Sequence, residues 1–165
     1  TKNLVPALLN LTTTNTLLTL MNEWKKSTRG ILEILKIILG GKMSPSDLIQ
    51  HAWDFSEKEN NKQRKRHVSI IVRNKEPLVT ATNQFEVPSR YAYRGYRSLH
   101  SEVHAFMKCN VRDNITLYNF RFNNQKQLRM AKPCKICMPW CEAVFETIIY
   151  SDNNGQLVQM KGLYS

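Results

Sequence analysis

Along the chain the hydrophobic positions change period several times, and each change marks an element. Leu48, Ile49, Ala52 and Trp53 recur at helical spacing, behind Ser44–Pro45–Ser46–Asp47. That tetrapeptide offers a capping serine, a proline suited to the first helical position and an acid near the positive end of the helix dipole. A helix is therefore predicted from about residue 45 to Glu59. Val68–Val72 is rich in β-branched residues, Asn74–Lys75–Glu76–Pro77 has turn composition, and Leu78–Thr82 resumes the strand pattern, which predicts a hairpin. A loop then runs to Leu99. Ser101–Cys109 predicts a short helix with Val103, Phe106 and Met107 facing inward. Ile115–Phe122 alternates as a strand does, and Asn123–Gln127 is a turn-rich insertion. Residues 134–146 predict a helix whose early part Pro139 should kink. Thr147–Ser151, the turn Asp152–Gly155 and Leu157–Lys161 predict a second hairpin. The order α, β-hairpin, α, β, α, β-hairpin is that of an α/β sandwich with helices on a mixed sheet.

Residues 1–43 follow a different pattern. Leu4, Leu8, Leu9, Leu11, Leu17, Leu18, Leu20 and Met21 suggest one or two helical pieces, interrupted by Thr12–Thr13–Thr14. A further piece, Ile31–Leu39, is apolar except at Glu33 and Lys36, and Gly40–Gly41 stops it. We expect an N-terminal helical extension over residues 1–43, packed as a hairpin or serving as an oligomerisation arm, and a domain over residues 44–165. No apolar run reaches the roughly 18 residues that span a bilayer. Residues 1–24 hold no Arg and no convincing cleavage site, so the expectation is an intracellular, cytoplasmic protein without a membrane partner.

Composition changes the picture in one respect. Hydrophobic residues at 42% and charged residues at 22% suit a packed soluble domain and exclude wholesale disorder. The charge is unbalanced, with 24 Lys+Arg against 13 Asp+Glu and a net +11. Such a surface favours polyanions, nucleotide phosphates or acidic partners without choosing among them.

Cysteine usage carries the chemistry. Of Cys109, Cys134, Cys137 and Cys141, the last three crowd together, which reads as metal ligation rather than as a disulfide scaffold. Two fragments matter: His100–Ser101–Glu102 and Pro133–Cys134–Lys135–Ile136–Cys137. Four Cys and six Pro in 165 residues predict roughly 0.004 chance occurrences of P-C-x-x-C, against roughly 0.2 for H-x-E, so the cysteine half is the specific one. A catalytic zinc takes three protein ligands and keeps a fourth position for water. His100, Cys134 and Cys137 can supply three, with the cysteines at the start of a helix whose dipole favours thiolates. Glu102, two residues from the histidine, can move the water's proton. A structural zinc would need a fourth ligand, for which His104 and Cys141 are the nearby candidates. Both suit a buried structural role better, as does Cys109.

Together the fragments resemble the cytidine/deoxycytidylate deaminase superfamily and its H-x-E…P-C-x-x-C signature. The resemblance covers roughly residues 45–161 in element order as well as motif, and includes Tyr150–Ser151 and its following turn, similar to the family's fourth strand. It implies a cytidine deaminase-like three-layer α/β sandwich with a mixed sheet of about five strands. It implies zinc (Zn2+) held by His100, Cys134 and Cys137, and Glu102 as the catalytic proton shuttle. Asn83 falls where members commonly hold the sugar or base. Ser101 replaces the usual Ala, and its backbone N–H is expected to reach the base carbonyl.

The substrate is less constrained. Arg90–Tyr91–Ala92–Tyr93–Arg94–Gly95–Tyr96–Arg97 interleaves arginine with tyrosine just before His100. Arg94 and Arg97 can bind phosphate and Tyr96 can stack on a base, although a surface loop of ordinary packing has the same composition. Lys62–Arg66, Arg129, Lys132 and Lys135 add charge. Three activities remain open. The first is hydrolytic deamination of a cytosine base in a pyrimidine nucleoside or nucleotide. The second is deamination within single-stranded DNA or RNA, of cytosine or of adenosine in tRNA. The third is a non-catalytic zinc-containing binding or assembly subunit. Glu102 argues against the third, and the predicted Ile148–Lys161 hairpin, as in free-nucleoside enzymes, favours the first. The resemblance also implies a homo-oligomer.

Overall fold

The structure is a computed structural model that describes residues 42–60, 66–85 and 98–163. The helices expected before Gly41, the basic run 61–65 and the loop with Arg94, Tyr96 and Arg97 lie outside the described residues. The chain divides into Thr1–Gly41 and Lys42–Ser165, and the fold is that of the second unit.

Helix α1 (Pro45–Asn60) starts as its sequence predicts. The Asp47 N–H donates to Ser44 Oγ and the Ser44 N–H donates to Asp47 Oδ2, a reciprocal cap that satisfies two otherwise orphan donors. Strands β1 (Arg66–Arg73) and β2 (Glu76–Thr82) form the predicted hairpin. Its turn is only two residues, Asn74 and Lys75, both at positive φ (53° and 70°), the conformation that matches the twist of a tight hairpin. Glu76 and Pro77, expected in the turn, belong to β2. Pro77 is tolerated because β2 is an edge strand and the register shifts beside it, between Ile71 and Val72.

Two short strands, β3 (Gln84–Phe85) and β4 (Ser98–Leu99), pair with each other and flank the undescribed loop. Helix α2 (Ser101–Lys108) leads to the central strand β5 (Thr116–Phe122). The turn-rich insertion folds back as β6 (Leu128–Arg129) against the end of β5. Helix α3 (Cys137–Val144) connects to β7 (Thr147–Ser151) and β8 (Leu157–Lys161). The strand order is β2-β1-β5-β7-β8, with β6 beside β5. Only β5 and β7 run parallel, and α3 supplies the crossover that a parallel pair needs.

The result is the three-layer sandwich expected from the sequence, an open mixed sheet between helices. On one face α1 packs Leu48 and Ala52 against Val68, Ile70, Val72, Phe120 and Phe122. Met43 joins this core, and its N–H donates to the Lys75 carbonyl. On the other face α2 and α3 cover Ile71, Leu117 and Ile148 with Ala105, Cys141 and Phe145. No helix among the described residues is long and apolar enough to cross a membrane.

Two helices depart from expectation. α3 starts at Cys137 rather than at 134, so Pro139 falls in the first turn, where its missing N–H costs no helical hydrogen bond; the predicted kink has no cause there. In α2, Met107 is 52% exposed instead of inward. The buried stripe of α2 is Ser101, Glu102, His104 and Ala105. Its inner face is largely polar, so an apolar periodicity points the wrong way.

Candidate metal centre

Two helix starts meet at this site. His100 is the residue before α2, and Cys137 is the first residue of α3. Cys134 sits in the turn before α3, where its carbonyl accepts from the Met138 N–H. The three residues offer ligand atoms that all lie within 4.8 Å of one another. His100 Nδ1 lies 3.7 Å from Cys134 Sγ and 3.4 Å from Cys137 Sγ. Zinc–nitrogen and zinc–sulfur bonds at a tetrahedral angle would separate N and S by about 3.6 Å. The donor set and its spacing therefore fit a zinc ion, with one nitrogen and two sulfurs as ligands.

Burial pushes the Cys137 thiol well above its ordinary pKa, and Glu102 and Cys134 add to the effect. Thiolates there need a compensating cation, which is what a divalent metal supplies. The two candidates for a fourth ligand are engaged elsewhere. His104 Nδ1 is 2.8 Å from the Thr82 carbonyl, which can only accept, so Nδ1 carries the proton and donates. Cys141 is fully buried in the core, one helical turn beyond Cys137, and outside the three-donor group. Cys109 is buried too, its thiol donating to the Val111 carbonyl. Among the described residues the donor set stops at three.

Glu102 is buried, at 6% exposure, and its surroundings are polar. Asn119 Nδ2 donates to Glu102 Oε1 (3.1 Å) and to the Ala131 carbonyl (2.7 Å). The second contact fixes the orientation of the amide, since a flipped Asn119 would set oxygen against oxygen. Asn119 Oδ1 must then accept, and Ser69 Oγ lies 2.8 Å away to donate. Ser69 Oγ is also 2.8 Å from Ser101 Oγ. A hydroxyl has one proton. The Ser69 hydroxyl thus has two acceptors within reach, Asn119 Oδ1 and Ser101 Oγ, and serves them with one proton. Ser101 Oγ donates to Glu102 Oε2 over 3.5 Å, the longest contact of the network. One carboxylate oxygen is held by Asn119 and the other more loosely by Ser101.

Ser101 and Asn83 take places that the sequence reading did not assign. Ser101 is fully buried, and its N–H donates to Asn83 Oδ1 at 2.9 Å. That N–H is therefore committed to Asn83 and not to a base carbonyl, and the Ser101 hydroxyl supports the Glu102 network. Asn83 completes the start of α2, with its Nδ2 end as the remaining donor. Arg94, Tyr96 and Arg97 are outside the described residues.

The residues that sequence reasoning missed are Ser69 and Asn119. Each lies in the middle of a predicted strand whose neighbours are apolar on both sides. A polar side chain buried on a central strand needs a partner, and that is the signal that could have found them.

No family model and no curated protein matches the chain. Among solved structures the chain is similar to a dCMP deaminase from the cyanophage S-TIM5, in complex with dCMP and dUMP. The identity is 19%, over 67% of this chain and 85% of that one, with a TM-score of 0.46. It is also similar to a cytidine deaminase from Burkholderia pseudomallei, at 13% identity over 72% of this chain and 93% of that one, with a TM-score of 0.49. In both cases the likeness is one of fold.

Proposed function

We propose that the protein is a zinc-dependent hydrolytic deaminase that converts a cytosine base, in a cytidine- or deoxycytidylate-type substrate, to uracil with release of ammonia. The observation that carries this reading is a three-donor group that could hold a metal, together with a buried carboxylate that has one oxygen anchored by Asn119 and the other held only at 3.5 Å. Glu102 is close enough to the metal group for its charge to raise the Cys137 thiol.

His100, Cys134 and Cys137 would hold the metal. Zinc bound there makes water acidic enough to supply a nucleophile near neutral pH. Glu102 Oε2 takes the water's proton as the oxygen bonds to the ring carbon that bears the amino group. Glu102 delivers that proton to the ring nitrogen, then takes the proton of the newly attached hydroxyl and passes it to the amino group; the carbon–nitrogen bond breaks as the carbonyl forms, and ammonia departs. Asn119 keeps Glu102 in one rotamer throughout. Asn83, its Oδ1 held by the Ser101 N–H, offers Nδ2 to a carbonyl or sugar hydroxyl of the substrate. Arg94, Tyr96 and Arg97 remain proposed substrate contacts on sequence grounds.

The test is ammonia release from cytidine, dCMP and single-stranded oligonucleotides, with metal content measured on the same preparation. We expect about one zinc per chain, as a three-ligand catalytic site holds. Glu102→Gln should keep that zinc and lose turnover by roughly 100- to 10,000-fold. A zinc-loaded wild type that turns over none of these substrates overturns the enzymatic reading and leaves the binding subunit in its place.

A further inference from the structure

The sheet face beneath α2 and α3 changes character from row to row. Register sets Ile71, Leu117 and Ile148 side by side on β1, β5 and β7, all fully buried. Two residues along, on the same face, come Ser69 and Asn119, the pair that supports Glu102. Two residues further come His67 on β1, Arg121 on β5 and Arg129 on β6. Apolar packing gives way to a neutral polar network and then to cations.

The last row is electrostatically costly. Directly paired residues on adjacent strands project to the same face, with Cβ atoms about 5 Å apart, and like charges so placed repel. Among the described residues the ion pairs join Arg66 to Glu57 and Arg73 to Asp113, and no carboxylate pairs with Arg121 or Arg129. Asp152, at the same end of β7, has its Oδ1 taken by the N–H groups of Asn154 and Gln156. Arg121 Nη1 makes a long contact to the Met130 carbonyl (3.4 Å), and Arg129 Nη2 donates to Gln127 Oε1 (2.7 Å). A guanidinium has five N–H donors, so among the described residues most of each fork meets no acceptor. Both side chains are half-buried rather than free in solvent.

The row is also tied to the metal centre. Asn119 and Arg121 donate to consecutive carbonyls, Ala131 and Met130, on the segment that delivers Cys134. Arg121 lies two residues, roughly 7 Å along the strand, from the residue that touches Glu102. That is within the span of one nucleotide.

We propose that Arg121 and Arg129 bind a phosphate of the substrate, so that the base is presented on a nucleotide rather than on a free nucleoside. The proposal rests on the deaminase reading for the base and adds the place of the phosphate. Paired guanidinium forks match phosphate oxygens in bidentate geometry, and the anion relieves the repulsion between them. The same chemistry serves a terminal phosphate of a mononucleotide and a diester of a single strand.

The test is binding of unreactive product-type probes by calorimetry, using the zinc-loaded full chain: dUMP, deoxyuridine and a short single-stranded dU oligonucleotide. Wild type should bind dUMP at least about tenfold more tightly than deoxyuridine, the scale of charge-assisted hydrogen bonds. The double variant Arg121→Gln/Arg129→Gln should lose that preference and bind deoxyuridine as before. Arg73→Gln, which removes a cation at the far end of β1, should leave it intact. Tight oligonucleotide binding with a steep salt dependence assigns the row to a strand, and dUMP binding with a shallow one assigns it to a mononucleotide. Equal affinity of wild type for dUMP and deoxyuridine overturns the proposal, as does a preference that survives in a folded double variant. If the double variant melts early, Arg121→Lys and Arg129→Lys, which keep charge without the fork, should each weaken dUMP severalfold; no change in either overturns the proposal. Because the probes do not react, a chain without deaminase activity still answers this question, and a chain that deaminates cytidine and dCMP alike separates the two readings.

Discussion

Strands β1 and β5 present two faces with different compositions. Toward α1 they offer Val68, Ile70, Val72, Phe120 and Phe122, packed on Leu48 and Ala52 and edged by Trp53, with which Phe122 makes an edge-on ring contact. Toward α2 and α3 the intervening residues are His67, Ser69, Ile71, Leu117, Asn119 and Arg121. One face is hydrophobic from Val72 to Phe122 and ends in Arg66, which is paired with Glu57 of α1. The other is hydrophobic only far from the metal centre and becomes polar and then cationic toward it. The same backbone and the same hydrogen-bond ladder carry both. Both faces bury a hydrophobic core. The second uses part of that area to position Glu102.

This difference can be broken in graded steps. Phe120→Ala removes a fully buried ring from the α1 face and should cost about 3–5 kcal/mol in denaturant unfolding, with turnover per folded molecule unchanged. Loss of kcat out of proportion to unfolding would mean that the faces are coupled.

Asn119→Leu keeps volume on the other face but leaves Glu102 Oε1, Ser69 and the Ala131 carbonyl without their partner. A stability loss of about 1–3 kcal/mol is expected. The decisive readout is kinetic: kcat should fall more than tenfold, the scale of one lost hydrogen bond to a charged group, with KM and zinc content little changed. A variant that loses stability alone would show Asn119 to be core and nothing more.

Ser69→Ala deletes one hydroxyl of the same network and should cost about 1 kcal/mol, with a smaller fall in kcat.

His51, on the α1 side, has its pKa lowered, chiefly by burial, with Lys58 adding and Asp54 opposing. Its ring Nε2 meets Thr80 Oγ1 at 2.9 Å. The folded state thus favours neutral His51. That stability is complete above the unfolded value near 6.5 and is lost as pH falls through the lowered folded value. His51→Gln should flatten the acid side of a stability–pH curve between pH 7 and 5 and leave the pH dependence of turnover alone. A matching shift in turnover would tie the α1 side to the chemistry.

The smallest effect belongs to Met107, whose side chain is half-exposed on the outside of α2. Met107→Gln should move the melting free energy by no more than about 0.5 kcal/mol.

Much of the fold was legible in the chain. The α1 start, the strand Thr147–Ser151 and the strand Leu157–Lys161 were readable because capping chemistry and hydrophobic period are local properties. The ligand set was readable for the same reason on the cysteine side, since Pro133–Cys134 and Cys137 are close in sequence. The misreadings share one cause. Met107 was placed inside α2 because periodicity assumes an apolar inner face, and there the inner face is Ser101, Glu102, His104 and Ala105. Asn119 and Ser69 carried no role because a polar residue in an alternating strand normally faces water. Their partners are 17 and 32 residues away for Asn119–Glu102 and Ser69–Ser101, and no local pattern reports that distance. The contacts of Ser101 with Asn83 and Ser69 were likewise hidden from any local pattern.

By itself the sequence determined most of the element types and pointed to the candidate metal donors. Helix and strand periods, caps and the P-C-x-x-C spacing are set by residues within a few positions of one another. Only the tertiary structure decided which oxygen of Glu102 is anchored, which end of Asn83 is held by the Ser101 N–H and which basic side chains stand in a row beside the site. Those depend on strand register. A shift of one residue between β1 and β5 would turn Ser69 away from Asn119 and His67 away from Arg121, and no single segment of the chain encodes that alignment.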